Sequence, residues 1–154
     1  MRLFEEIWHR GAAALRLSTK VYRGEWGAWL EMAKALPGRE RGIPSKAGSK
    51  YDWENKFAFR LSRDDLAKLA WAFEQRDVGN LISLVHRYQG VKKFLNVVLA
   101  SNGSYFLNGS KNAVTVSVPI EKEGIWKMRT CLNLAYEEAL WNESAYEKQQ
   151  RCAM

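Results

Sequence analysis

Cationic and aromatic side chains alternate in the strand-like segments of this chain, and they are the groups best placed to do chemistry. In the segment from Lys56 to Leu61, Phe57 and Phe59 share the parity of Leu61, while Lys56 and Arg60 share the other. Successive strand residues face opposite sides of a sheet, so the cations lie on the open face if the apolar residues point to covering helices. Cations attract phosphates and exposed rings stack on unpaired bases, which indicates a surface for single-stranded nucleic acid.

The same parity separates core from surface in one strand of each half of the chain. The core positions are Leu15, Leu17, Leu95, Val97 and Leu99, and the open positions are Arg16, Ser18, Lys20, Phe94, Asn96 and Val98. The open face therefore combines cations, amides and rings. It suits a duplex poorly, because no helix presents basic residues to a groove.

The net charge of +7 and the pI near 9.5 favour an acidic partner, and the excess is concentrated in one segment. Basic residues recur between Lys34 and Lys56, interspersed with Pro37, Pro44 and several glycines. This composition predicts a basic loop. The alternative is a basic protein whose charge serves only its solubility.

The residue types needed for catalysis or metal binding are not arranged for it. Asp64 and Asp65 are adjacent in a predicted helix, so their side chains diverge by about 100° and share no site. Cys131 and Cys152 give neither a disulfide framework nor metal-ligand spacing, and the two histidines are too few for a metal site. There is no glycine-rich phosphate loop and no nucleophile with its base. We therefore expect a non-enzymatic protein without a metal or cofactor.

The sequence gives no sign of membrane insertion or of a targeting peptide. No run of about 18 apolar residues is present, which argues against a membrane-spanning helix. The first residues include Glu5 and Glu6 and pass directly into a strand pattern, which is not typical of a signal or transit peptide. We expect an intracellular protein.

The second half of the chain repeats the first, which predicts one domain, residues 1–141, built from two halves. The expected strands are residues 3–10, 12–22, 26–36 and 55–61, then 81–88, 91–101, 104–110 and 113–120, with helices at 63–76 and 121–141. Ser62 and Asp65 form a capping box, and Asn102-Gly103 predicts a tight hairpin. The fold class is α+β: two ββββα repeats, residues 1–76 and 77–141, form antiparallel sheets packed on helices. Residues 142–154 form a short tail.

Five motifs, in order along the chain, resemble those of the Whirly single-stranded-DNA-binding proteins, whose fold the kinetoplastid mitochondrial RNA-binding proteins share. The most specific combines Tyr51-Asp52-Trp53 with Lys56, Phe59 and Leu61-Ser62. The others are His9-Arg10-Gly11-Ala12-Ala13-Ala14-Leu15, Lys93-Phe94-Leu95-Asn96-Val97, Tyr105-Phe106 and Val116-Ser117-Val118-Pro119-Ile120. Ala12 stands where the family motif has its second lysine, so any contact made by that lysine is absent here.

The resemblance implies binding of single-stranded DNA or RNA with low sequence preference, through the faces and edges of the sheets. It implies a role in genome maintenance, transcription, or RNA annealing and processing, in a mitochondrion, plastid or nucleus. It also implies a tetramer assembled through the helices, either of identical chains or with a paralogue. The alternative is a structural or interaction protein whose open sheet binds a protein partner.

The helices carry more large apolar residues than one small sheet can cover. These residues are Trp71, Phe73, Ile125, Trp126, Met128, Leu132, Tyr136 and Trp141. We therefore expect a helix-centred oligomer.

The candidate nucleic-acid-binding residues lie on the predicted strand faces, in the hairpins and in the basic loop. They are Arg10, Arg16, Lys20, Trp29, Lys50, Tyr51, Trp53, Lys56, Arg60, Lys92, Phe94, Asn96, Tyr105, Asn108 and Lys111.

Aromatic candidates allow two interpretations each. Trp53 either stacks on a base or packs over the sheet edge, while Asp52 ties down the loop in the second case. Trp29, Phe94 and Tyr105 are likewise either stacking groups or packing groups beneath loops or a partner subunit.

Overall fold

The computed structural model describes residues 3–37 and 50–142, and within them the predicted order of two ββββα halves is confirmed. The first half contains β1 (Glu5–Arg10), β2 (Ala13–Tyr22), β3 (Glu25–Lys34), β4 (Phe57–Leu61) and α1 (Arg63–Ala72). The second half contains β5 (Gly79–Tyr88), β6 (Val91–Leu99), β7 (Tyr105–Lys111), β8 (Val114–Ile120) and α2 (Lys122–Trp141). Residues 38–49 of the predicted basic loop and 143–154 of the predicted tail lie outside the described residues.

Each half forms its own four-stranded antiparallel sheet, in which strands adjacent in sequence are adjacent in space, in the orders β1-β2-β3-β4 and β5-β6-β7-β8. The hairpin predicted at Asn102-Gly103 is present. Gly103 has a φ of 89°, which costs little only for glycine, and its amide donates to the carbonyl of Ala100 at 3.0 Å. The Asn102 side chain accepts a hydrogen bond from the Ser104 amide at 2.9 Å.

Helix α1 begins at the predicted capping box. The Ser62 hydroxyl accepts a hydrogen bond from the Asp65 amide at 3.1 Å, and the Asp65 carboxylate accepts one from the Ser62 amide at 3.0 Å. Two of the amides that a helix start leaves unpaired are thereby satisfied.

Helix α1 ends at Ala72, four residues before the predicted end at 76. The buried ring of Phe73 packs against the ring of Tyr105, with 5.5 Å between centroids. The Tyr105 hydroxyl donates a hydrogen bond to the carbonyl of Gln75. This tertiary contact holds the chain in a turn after Ala72, where the apolar periodicity alone predicts one more helical turn.

The core lies between the two sheets as well as beneath the helices. Leu30 and Phe59 of the first sheet and Leu95 of the second are buried in one continuous apolar cluster. Gly109 of β7 marks a close approach of the sheets, because a methyl group there would lie 2.6 Å from the Phe57 ring. Helices α1 and α2 pack together and complete this core. The helices therefore share with the opposite sheet the covering role that the sequence assigned to them alone.

The strand parity predicted from the sequence is confirmed. The predicted core positions are all buried, whereas Lys20 and Phe94 are exposed and Arg16 is half-buried. Ser18 differs from the expectation, because it has outer-face parity but is buried. Neither α1 nor α2 combines the length and apolar character that crossing a membrane requires.

Candidate nucleic-acid interface

Most of the predicted binding residues of the first half lie on the outer face of the first sheet. Its rows follow from the strand register: Arg16 is opposite Glu31, and Trp29 is opposite Arg60. We call this surface the cationic face, and it consists of Arg16, Lys20, Trp29, Glu31, Trp53, Lys56 and Arg60. Strand alternation gives this face its composition, because the intervening residues fill the core.

Trp29 lies half-buried on the cationic face between two cations. The Lys20 Nζ is 4.9 Å and the Arg60 guanidinium 5.6 Å from the centre of the Trp29 ring. Gly27 makes room for this arrangement, because a methyl group there would lie 3.3 Å from both the Arg60 Nε and the Trp29 Nε1. Glu25 lies 3.8 Å from the Arg60 guanidinium. A ring and two cations are therefore held within one small area.

Trp53 forms a second contact of this kind. It begins a short 3-10 turn, Trp53–Asn55, and the Arg16 guanidinium lies 4.5 Å from the centre of its ring. The turn is fixed by Asp52, whose carboxylate accepts hydrogen bonds from the Asn55 amide at 3.4 Å and from its side chain at 3.0 Å. This geometry favours the structural role for Asp52. Trp53 is half-buried, so both of its interpretations stay open.

Glu31 is a buried carboxylate in the middle of the cationic face, with 2% of its surface exposed. Its Oε1 is 3.0 Å from the Arg16 Nε, and its Oε2 is 2.5 Å from the Lys56 Nζ. Burial acts to raise the pKa of this carboxyl, but the hydrogen bonds from Lys56 and Arg16 outweigh it, and the pKa is lowered from 4.5. Glu31 is therefore ionised at neutral pH.

Tyr51 is buried, which corrects the prediction that its ring is available to a base. It packs over Ala14 and Ala33 on the outer face, and its ring stacks on His9 with 5.4 Å between centroids. The Lys50 Nζ lies 5.2 Å from the centre of the Tyr51 ring, so Lys50 is held near this edge of the cationic face.

The outer face of the second sheet has a different chemistry. Asn96 and Asn108 are opposite each other, with Ser83 and Ser117 at the two ends of the same row. The Ser117 hydroxyl donates to the Asn108 Oδ1 at 2.5 Å. This row supplies amides and hydroxyls and no charge.

Phe94 lies beside the amide row and is exposed, with the Lys92 Nζ 5.2 Å from its ring centre. The second sheet therefore offers one cation and one ring where the first sheet offers several. Because the inner faces of the sheets pack against each other, the two outer faces lie on different sides of the molecule.

Three predicted residues lie apart from both outer faces. Tyr105 is buried in the core against Phe73, which corrects the prediction that it stacks on a base. Lys111 belongs to the core-side row opposite Lys93, beyond the end of the apolar cluster. Arg10 also has core-side parity and lines a cleft of about 600 Å³ at the start of α2.

Two charged residues with specific contacts were not among the predicted site residues. Glu31 could have been recognised by its acidic side chain at an open-face position opposite Arg16. Lys93 was hidden by its core-side parity: its Nζ donates to the carbonyl of Ala58 at 2.7 Å, and burial, with the charge of Lys111, lowers its pKa. Only the packing of one sheet on the other brings Lys93 to Ala58.

No family model and no curated protein matches the chain. A structure search finds the crystal structure of WHY1 from Arabidopsis thaliana, with a TM-score of 0.65 and 18% sequence identity over 88% of this chain and 90% of that chain. At this identity the similarity establishes the fold. The chain has the Whirly fold, as the motifs in the sequence predicted.

Proposed function

We propose that this protein is a non-enzymatic module that binds single-stranded DNA or RNA on its cationic face. One observation carries the proposal: Trp29 lies on an open sheet face with Lys20 and Arg60 on either side. A nucleotide of a single strand offers a planar base and a phosphate close together. Stacking on the ring and pairing with the cations would engage both groups of the same nucleotide.

The composition of the cationic face supports low sequence preference. Contacts from lysine and arginine to phosphates carry no direct sequence information. Stacking on Trp29 accepts any base, because every base has a planar face. The motif resemblance to the Whirly family supports the same proposal and extends it to genome maintenance, transcription or RNA processing.

We further propose that the chain assembles as a tetramer through its helices. Trp126 and Trp141 of α2 are 73% and 86% exposed, and Trp71 of α1 is 52% exposed. Large exposed rings on packed helices are typical of surfaces that another subunit covers. Helix-centred assembly would leave the cationic face open to nucleic acid.

The test of binding replaces Trp29 by alanine and measures the affinity for a labelled 20-nucleotide single strand by fluorescence anisotropy. If Trp29 stacks on a base, the affinity should fall by about 1 to 3 kcal/mol. The free energy of unfolding is measured on the same sample, so that a loss of folding is distinguished from a loss of stacking.

The matched control is Trp71→Ala, which removes an exposed tryptophan from α1, away from the cationic face. It should leave the affinity of each subunit for the strand unchanged. Equal affinity of a folded Trp29→Ala variant and the wild type would remove Trp29 from the interface. Binding that does not respond to salt would favour a protein partner instead.

A further inference from the structure

The four cations of the cationic face fall into two pairs with different surroundings. Arg16 and Lys56 both contact the buried carboxylate of Glu31, one at each oxygen. Lys20 has no carboxylate within ion-pair distance among the described residues. Arg60 is 3.8 Å from Glu25, whose side chain is 41% exposed and therefore well solvated. The face thus has a clamped pair and a more accessible pair.

The clamped pair is a poor phosphate site for a physical reason. Glu31 is 2% exposed, so its charge is screened by Arg16 and Lys56 rather than by water. A phosphate that bound either cation would have to displace this carboxylate or lie close to its negative charge. Withdrawing one partner from a buried ion pair is costly, because the remaining charge stays buried without compensation.

The accessible pair has no such competitor. Lys20 and Arg60 meet at Trp29, and contacts between cations and rings leave the outer side of the charged group able to bind a phosphate. The carboxylate therefore divides one basic surface into two regions of unequal use.

We infer that Glu31 limits affinity and sets the path of the strand, by holding Arg16 and Lys56 on the sheet and leaving the phosphates to Lys20 and Arg60. This inference rests on the proposed function and adds a specific residue to it. Glu31 contacts no phosphate itself; it acts through the two cations that it holds.

The opposite role for Glu31 is to position Arg16 over Trp53 so that both can bind. The two roles predict opposite changes in affinity. Replacement of Glu31 by glutamine releases Arg16 and Lys56 if the carboxylate competes with phosphate. The same replacement weakens binding if the carboxylate only positions Arg16.

The experiment measures the affinity of Glu31→Gln for a 20-nucleotide single strand between 50 and 200 mM salt. We expect several-fold tighter binding at low salt, and a slope of log affinity against log salt that is steeper by about 0.7 for each additional phosphate neutralised. Glu25→Gln is the control, since it removes the same charge from the same strand. It should change affinity and slope by less than half as much, because Glu25 is exposed.

Unchanged or weaker binding by a folded Glu31→Gln variant would overturn the inference. A second measurement on the wild-type protein avoids the risk that this variant fails to fold. In a titration with the single strand followed by NMR, the Arg60 Nε–H signal should shift while the Arg16 Nε–H signal keeps its position. A shift of the Arg16 signal as large as that of Arg60 contradicts the inference. Absence of any binding by the wild type would reject the proposed function itself.

Discussion

Cations held over aromatic rings are the repeated device of this surface at the scale of single residues. Arg16 lies over Trp53, and Lys20 and Arg60 lie over Trp29. Each such contact contributes about 0.5 to 1 kcal/mol at an exposed site, which is enough to bias a flexible side chain without burying its charge. The arrangement therefore prepares the cations for phosphate while they remain solvated.

His9 predicts how stability depends on pH. Burial lowers its pKa from 6.5, and the nearby charges of Lys50, Lys127 and Arg10 lower it further. As the pH falls below 6.5, the unfolded chain takes up a proton before the folded chain does. The contribution of His9 to stability is therefore fully present above its unfolded pKa and is lost as the pH falls toward the folded-state pKa.

The check is the free energy of unfolding at pH 7.5 and pH 5 for the wild type and for His9→Gln. The wild type should lose more stability over this interval than the variant, because glutamine does not titrate. The same loss in both proteins would mean that the environment of His9 does not disfavour its charged form.

The contact between the two sheets is the decisive interaction at the scale of elements. Gly109 of β7 faces Phe57 of β4, and the close approach leaves no room for a side chain. Glycine weakens an isolated strand, because it has no side chain to pack. Here the loss is offset by the two sheets coming into direct contact.

Gly109→Ala should destabilise the fold by about 1 to 3 kcal/mol, because the added methyl group overpacks the contact with Phe57. The measurement is chemical denaturation of the variant and the wild type. Ser110→Ala is the control: Ser110 is the next residue of β7 and has the opposite parity, on the outer face. It should change stability by about 0.5 kcal/mol or less. Similar effects of both substitutions would argue against close packing at Gly109.

Assembly belongs to the scale of the whole molecule. The largest exposed rings are on the helices, whereas the cationic face is on the opposite side of the first sheet from the core that the helices complete. A tetramer with a mass about four times the 17.7 kDa of the chain is therefore compatible with four accessible cationic faces.

Replacing Trp126 and Trp141 together by serine should convert the tetramer to smaller species, because their exposed rings would no longer be buried between subunits. Sedimentation velocity at micromolar concentration measures the change. Phe94→Ser is the control, since it removes an exposed ring from the outer face of the second sheet and should leave the tetramer intact. A wild-type protein that sediments as a stable 17.7 kDa monomer would contradict the proposed assembly.

The sequence by itself determined the elements and their faces. Alternation in β2, β4 and β6 identified which residues are buried, and the capping box located the start of α1, because both depend on neighbours within a few residues. The same local information placed Arg16, Lys20 and Arg60 on one surface and predicted the Whirly fold from its motifs.

Tertiary structure alone decided which residues from different elements meet. The sequence did not predict that the sheets pack on each other at Gly109, that Tyr105 enters the core, or that Glu31 holds both Arg16 and Lys56. The physical reason is that alternation assigns a side to each residue but contains no information about what covers that side. Burial of Tyr105 and Glu31 depends on partners distant in sequence, and those partners are present only once the chain has folded.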